Sequence, residues 1–138
     1  MPRRIEPDPE VVRRIGSIAS RLPEIREEEA WTGVRWRVRQ RTVAHVMVAQ
    51  PGYESSYRDI TGDASVRTVL TFHATGDELL ALTHAGPPFY KPPWSPTIVG
   101  MVLADDAAGG TDWDEVAELV TESYRFCAPH KLVRLLDG

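Results

Sequence analysis

The chain has 138 residues, 42% of them apolar and 26% charged, with a formal net charge of -4. That balance suits one soluble domain with a real core and excludes a disordered or low-complexity chain. Net acidity also argues against strong nonspecific binding of nucleic acid, but the charge is uneven: residues 1–50 carry 10 Arg against 7 acids (+3), and residues 51–138 are -7.

The stretch PDPEVVRRIGSIASRLPE predicts a first helix. Val11, Val12, Ile15, Ile18, Ala19 and Leu22 form one apolar stripe, Asp8 is the N-cap with Pro9 at the first helical position, and Pro23 ends the pattern. Val34, Trp36 and Val38 then alternate with Arg35, Arg37, Arg39 and Arg41, and the valine-rich TVAHVMVAQ follows, predicting an antiparallel hairpin. With Gln40 and Arg41 at the turn, Val38 faces Val43, Trp36 faces His45 and Val34 faces Met47 on the buried side. The arginines then share the open side with Ala44 and Val46.

QPGYESSYRDITGDAS, 50 to 65, reads as a polar loop with mobile portions. SVRTVLTFHA is a strand with Val66, Leu70 and Phe72 on one face and Arg67, Val69 and Thr71 on the other. TGDELLALTHA is a short helix capped at Thr75, carrying Leu79, Leu80 and Leu82. GPPFYKPPWSP holds five of the 11 prolines, so it runs over the surface, pinned by Phe89, Tyr90 or Trp94. TIVGMVLA is the last strand and DDAAGG a flexible turn. The final helix starts at Thr111 or Asp112, buries Trp113, Val116, Val120, Tyr124 and Cys127, and ends near Ala128 ahead of Pro129. The order is that of an α+β two-layer sandwich: an antiparallel sheet with helices packed on one face and the other face left to solvent.

Several stretches together resemble the MmcQ/YjbR family of small bacterial proteins. They are the first helix ending in RLPE, WTGVRWRVRQRTVAHV, FYKPPWSPTIVGMVL and above all ESYRFCAPHKL, in an order spanning about residues 7–132 of a single 1–138 domain. The resemblance implies a frataxin-like (CyaY-like) fold and carries the label "double-wing DNA-binding", with no catalytic residue set to transfer; it marks Ser123, Tyr124, Pro129 and Lys131 as motif positions with structural roles. The chain departs from many relatives in having Gln40 and Arg41 where they have Gly-Lys, which leaves a longer or bulged hairpin loop open. The 50–65 loop is also longer.

Arg35, Arg37, Arg39 and Arg41 are the candidate nucleic-acid contacts, since residues two apart on a strand sit about 6.6–7 Å apart and arginine forks onto phosphate. Three readings stand for them: a solvated face balanced by Glu27, Glu28 and Glu29 with the stems covering Ala44 and Val46, contact with DNA, or an interface with another protein or a second copy. An alternative to the DNA reading is a protein- or small-ligand-binding module, with a pocket among Trp31, Tyr90, Trp94 and Trp113. His45, His73, His84 and His130 show no metal-ligand spacing and read as structural. Acidic residues cluster at Glu27–Glu29, Asp105 and Asp106, and from Asp112 to Glu122, but Arg13, Arg14 and Arg21 occupy the first helix where an acidic iron-binding ridge would lie. No catalytic residue, metal or cofactor is expected, and Cys127 reads as a core hydrophobe. The single cysteine and the lack of a long apolar run point to the cytoplasm and to no membrane partner. Monomer and homodimer both remain open.

Overall fold

The computed structural model describes residues 4–50, 54, 56–63, 65–104 and 110–137. Most of the expected turn at DDAAGG and parts of the 50–65 loop lie outside the described residues, as do Asp105 and Asp106. The elements run α1 (Pro9–Ala19), β1 (Arg26–Glu29), β2 (Val34–Val38), β3 (Arg41–Ala49), α2 (Ser56–Thr61), β4 (Arg67–His73), α3 (Gly76–Ala85), β5 (Phe89–Tyr90), β6 (Ile98–Leu103), α4 (Trp113–Cys127) and α5 (His130–Asp137). The strands form one six-stranded sheet in the order β1-β2-β3-β4-β6-β5, antiparallel throughout. This is the expected α+β layout.

Helices α1 and α4 cover one face. In α1 the Asp8 side chain accepts from Glu10 N at 2.8 Å, Pro9 sits in the first turn, and Val11, Ile15 and Ala19 turn inward. Gly16 faces the sheet, where an added Cβ would stand 2.9 Å from Glu27 Oε1. The missing side chain therefore leaves room for Glu27 to accept from Trp36 Nε1 at 3.0 Å beneath the helix. In α4 the Asp112 carboxylate accepts from Glu115 N, and Val116, Val120, Tyr124 and Cys127 are buried as the stripe predicts. Between the layers lie Ile15, Trp36, Val38, Val46, Leu70, Phe72, Val99 and Met101.

The hairpin register corrects the expected one. The turn is Arg39–Gln40, with Arg39 at φ 53, and Val38 pairs with Arg41. An irregularity between Trp36 and Arg37 then leaves Val43 unpaired, so Trp36 lies opposite Ala44, Arg35 opposite His45 and Val34 opposite Val46. A one-residue slip reverses every side chain of a strand. Ala44 and Val46 accordingly join the helix-side core, while His45 and Met47 turn to the other face.

That other face is not left wholly to solvent. Helix α2, inside the stretch expected to be loop, places Tyr57 on the sheet, where it joins Met47, Ala49, Val69 and Tyr90 in a second cluster. Three further elements add to the expected order: the edge strand β1, of sequence REEE, the two-residue β5 at the opposite edge, and the C-terminal α5, packed on α4. In the proline-rich segment Tyr90 is the pin, 4% exposed, whereas Trp94 is 59% exposed.

Candidate nucleic-acid interface

The candidate arginines occupy the wing formed by β1, β2 and the start of β3. Register puts Arg26 opposite Arg37 and Glu28 opposite Arg35, so these four side chains share the sheet face away from α1 and α4. One carboxylate oxygen holds the group together: Glu28 Oε1 accepts from Arg35 Nε at 2.8 Å and from Arg37 Nη1 at 3.2 Å. The bond from Arg37, then bonds and charge from Arg35, lower the Glu28 pKa against an opposing desolvation. Arg37 Nη2 also donates to Gln40 O at 2.9 Å.

Beyond the strand pair the four arginines part company. Arg39, at the turn, gives Nε and Nη2 to the two oxygens of Glu24 at 2.9 and 3.3 Å. Arg41 points to the helix side, with its guanidinium 4.7 Å from the Phe126 ring centroid and Nη1 donating to Phe126 O at 3.3 Å. A cation there complements the carbonyl end of α4. The expected single face therefore keeps Arg35 and Arg37, carries Arg39 at its tip and loses Arg41. It gains Arg26, whose Nη2 donates to Arg39 O at 2.8 Å. No apolar alternation marks REEE as a strand, so no sequence signal placed Arg26 here.

Of the three expected countercharges only Glu28 pairs with the strip; Glu27 turns under α1 to Trp36. Residues 21–41 hold six arginines and four glutamates, a net +2 in a chain whose remainder is -6. The wing is thus a locally basic edge on an acidic protein.

The motif residues hold the layers together. Ser123, fully buried, accepts from His73 N at 2.9 Å and donates to Val43 O at 2.7 Å. Tyr124 donates its hydroxyl to Pro23 O at 2.8 Å, tying α4 to the end of the α1 segment. Pro129 O accepts from Leu132 N and Val133 N and so opens α5, while Lys131 is exposed.

The histidines stand apart from one another's chemistry. His45 bonds through Nε2 to Thr32 O and His73 through Nδ1 to Thr97 Oγ1, and burial lowers both pKa values. His84 bonds to Leu80 O within α3, and His130 is exposed at the start of α5. Among the described residues no group of three or more His, Cys, Asp or Glu side chains could hold a metal ion. The Cys127 thiol is buried, which raises its pKa. The four aromatics expected as a pocket do not meet: Trp31 lies next to β1, Tyr90 is in the strand at the opposite sheet edge, and Trp113 stacks under Arg14 on the helical layer.

A small α+β domain with a charged hairpin wing is the class that this geometry defines. Within that class the chain belongs to the YjbR family, whose model matches residues 20–126. The match runs from the end of α1 into the last turn of α4, taking in the wing, Ser123 and Tyr124 and stopping short of Pro129 and Lys131. Comparison with curated proteins and with solved structures gave no match. No described helix is long and apolar enough to cross a membrane.

Proposed function

We propose that this protein contacts the phosphate backbone of DNA through its β1–β3 wing, as a binding protein without catalytic chemistry of its own. The observation that carries the reading is the placement of Arg26, Arg35 and Arg37 on one face with Arg39 at its tip, against the two partner carboxylates Glu24 and Glu28. Those carboxylates set the terms of binding. Each must give up guanidinium N–H groups to a phosphate, so affinity is modest and strongly salt-dependent. DNA as partner and a lone thiol at Cys127 go together with a cytoplasmic compartment.

About three phosphate contacts give a salt slope near -2.7, or roughly a 40-fold loss of affinity between 50 and 200 mM salt. Fluorescence anisotropy with a labelled duplex measures this directly. Changing Arg35, Arg37 and Arg39 together to Glu abolishes binding; because it also sets like charges beside Glu24 and Glu28, circular dichroism checks that the variant is folded at the assay temperature. Absence of binding at low micromolar protein in about 50 mM salt rejects the proposal.

A further inference from the structure

The sheet face opposite the helices carries a second feature, independent of the wing. A cleft of about 600 Å³ opens where β4, β6 and β5 run side by side under α2. Its walls are apolar: Tyr57, Pro88, Phe89 and Tyr90 stand around Val102. Tyr57 and Tyr90 meet edge to face, with centroids 5.4 Å apart at 68°. Tyr90 is fixed from below, because it lies against Gly100, where a Cβ would come 2.2 Å from its ring. The aromatic wall is therefore set by the backbone of β6, and the cleft is preformed, as small-molecule sites usually are.

Two charged side chains line the cleft, Asp63 and Arg67. Asp63 has no acceptor capacity left. Its Oδ2 accepts from Tyr57 Oη at 2.5 Å and Arg67 Nε at 3.1 Å, and its Oδ1 accepts from Ser65 N at 2.9 Å and from Ser65 Oγ. The bonds from Ser65 and then Tyr57 hold its pKa far below the usual carboxylate range, so it stays ionised. The Thr61 hydroxyl donates to Tyr57 O and accepts from Asp63 N, which leaves it one lone pair and no proton to give. Arg67 is different. It engages Asp63 through Nε, its side chain is half exposed, and its two Nη groups bring four N–H donors against at most one remaining lone pair on Tyr57 Oη. The charge in the cleft with donors to spare is thus cationic and sits at the edge of an apolar hollow, where the buried Tyr90 hydroxyl has no hydrogen-bond partner among the described residues.

We infer that this cleft is a binding site for a small anion with an apolar or aromatic body, whose carboxylate or comparable oxyanion takes the outer fork of Arg67 while the body lies between Tyr57, Phe89 and Val102. A neutral ligand of the same shape takes at most an uncharged hydrogen bond there, and a cationic one meets the like charge of Arg67. The wing arginines are not part of this site.

The probes are 4-phenylbutyrate and its neutral counterpart 4-phenylbutan-1-ol, titrated into the full chain and into Arg67→Gln, and followed by backbone amide shifts. Binding of the carboxylate in the range up to ~10 mM is expected, with shifts centred on Tyr57, Phe89, Val102 and Ala104. The alcohol should bind about fivefold to tenfold more weakly, and Arg67→Gln should bring the carboxylate down to the alcohol's affinity without affecting the alcohol. Since Arg67 is half exposed, the variant keeps the fold, and the wild-type comparison of acid with alcohol stands even where it does not. Equal affinity for acid and alcohol, or an Arg67→Gln variant that keeps the preference, overturns the anion specificity. Shifts located elsewhere, or none, overturn the site. Neither result bears on the DNA reading, which Arg35→Glu and Arg37→Glu test separately.

Discussion

Replacing Ser123 by alanine isolates the joint on which the two layers depend. The β3–β4 ladder runs from Ala49–Arg67 to Ala44–Phe72 and stops where the hairpin bulge frees Val43. Just past that point the Ser123 hydroxyl, inserted from α4, accepts from His73 N at 2.9 Å and donates to Val43 O at 2.7 Å. It supplies from a helix the two bonds that the interrupted ladder does not. Alanine fits the same space, so the change removes polar satisfaction without creating a clash or a large cavity. Losing the bridge and leaving a buried N–H and C=O unpaired costs about 2–4 kcal/mol. For a domain of this size that lowers the melting temperature by roughly 6–15 °C. Urea denaturation followed by circular dichroism measures the difference, with Thr121→Ala as the control, since that hydroxyl bonds only back to Ala117 O within α4. The His73 amide should also exchange with solvent much faster in Ser123→Ala. A loss below about 0.5 kcal/mol, with the His73 amide still protected, would refute the joint as described.

Other expected outcomes concern each face in turn. Gly100→Ala drives a Cβ into the Tyr90 ring, 2.2 Å away, and should cost about 1–3 kcal/mol in the same urea assay. Arg41→Ala should lower stability by about 0.5–1 kcal/mol through the lost Phe126 contact, yet leave duplex affinity nearly unchanged in anisotropy, because Arg41 faces α4. Burial lowers the pKa of both His45 and His73, so in the acid range the unfolded chain binds more protons than the folded one. Stability should therefore be intact above about pH 6.5 and fall as pH drops below it, by at most about 1.4 kcal/mol per pH unit for each proton. Denaturant midpoints at several pH values check this, and His45→Gln should flatten the slope.

Much of the fold was legible because its signals are local. The α1 and α4 stripes, their Asp8 and Asp112 caps and the four longer strands follow from periodicity and end signals, and the layers follow from their order. The missed elements lack such signals. REEE in β1 has no apolar alternation and becomes a strand only because β2 offers it arginines across the ladder; α2 is a single turn and a half among Gly and Ser; α5 hides behind Pro129, which ends one helix and opens another. The hairpin register failed for a sharper reason. Arg39 takes a left-handed conformation without being glycine, and a bulge then absorbs the displaced residue, so residue counting from an assumed Gln40–Arg41 turn places β3 one position off. At the candidate site the sequence identified Arg35 and Arg37, but Arg26, the Glu28 clamp and the departure of Arg41 depend on that register and on the undetected β1. The Arg67 cleft is built from three separated segments and was not legible from any of them.

Glu28 offers the most direct test of the wing. If DNA must displace this carboxylate to reach Arg35 and Arg37, then Glu28→Gln removes the competitor while leaving both arginines in place. Duplex affinity at about 50 mM salt should rise roughly threefold to tenfold over wild type, with a steeper salt dependence, while Arg35→Glu with Arg37→Glu abolishes it. An unchanged or weaker affinity in Glu28→Gln, with the fold intact, would contradict the proposal that these arginines meet phosphate.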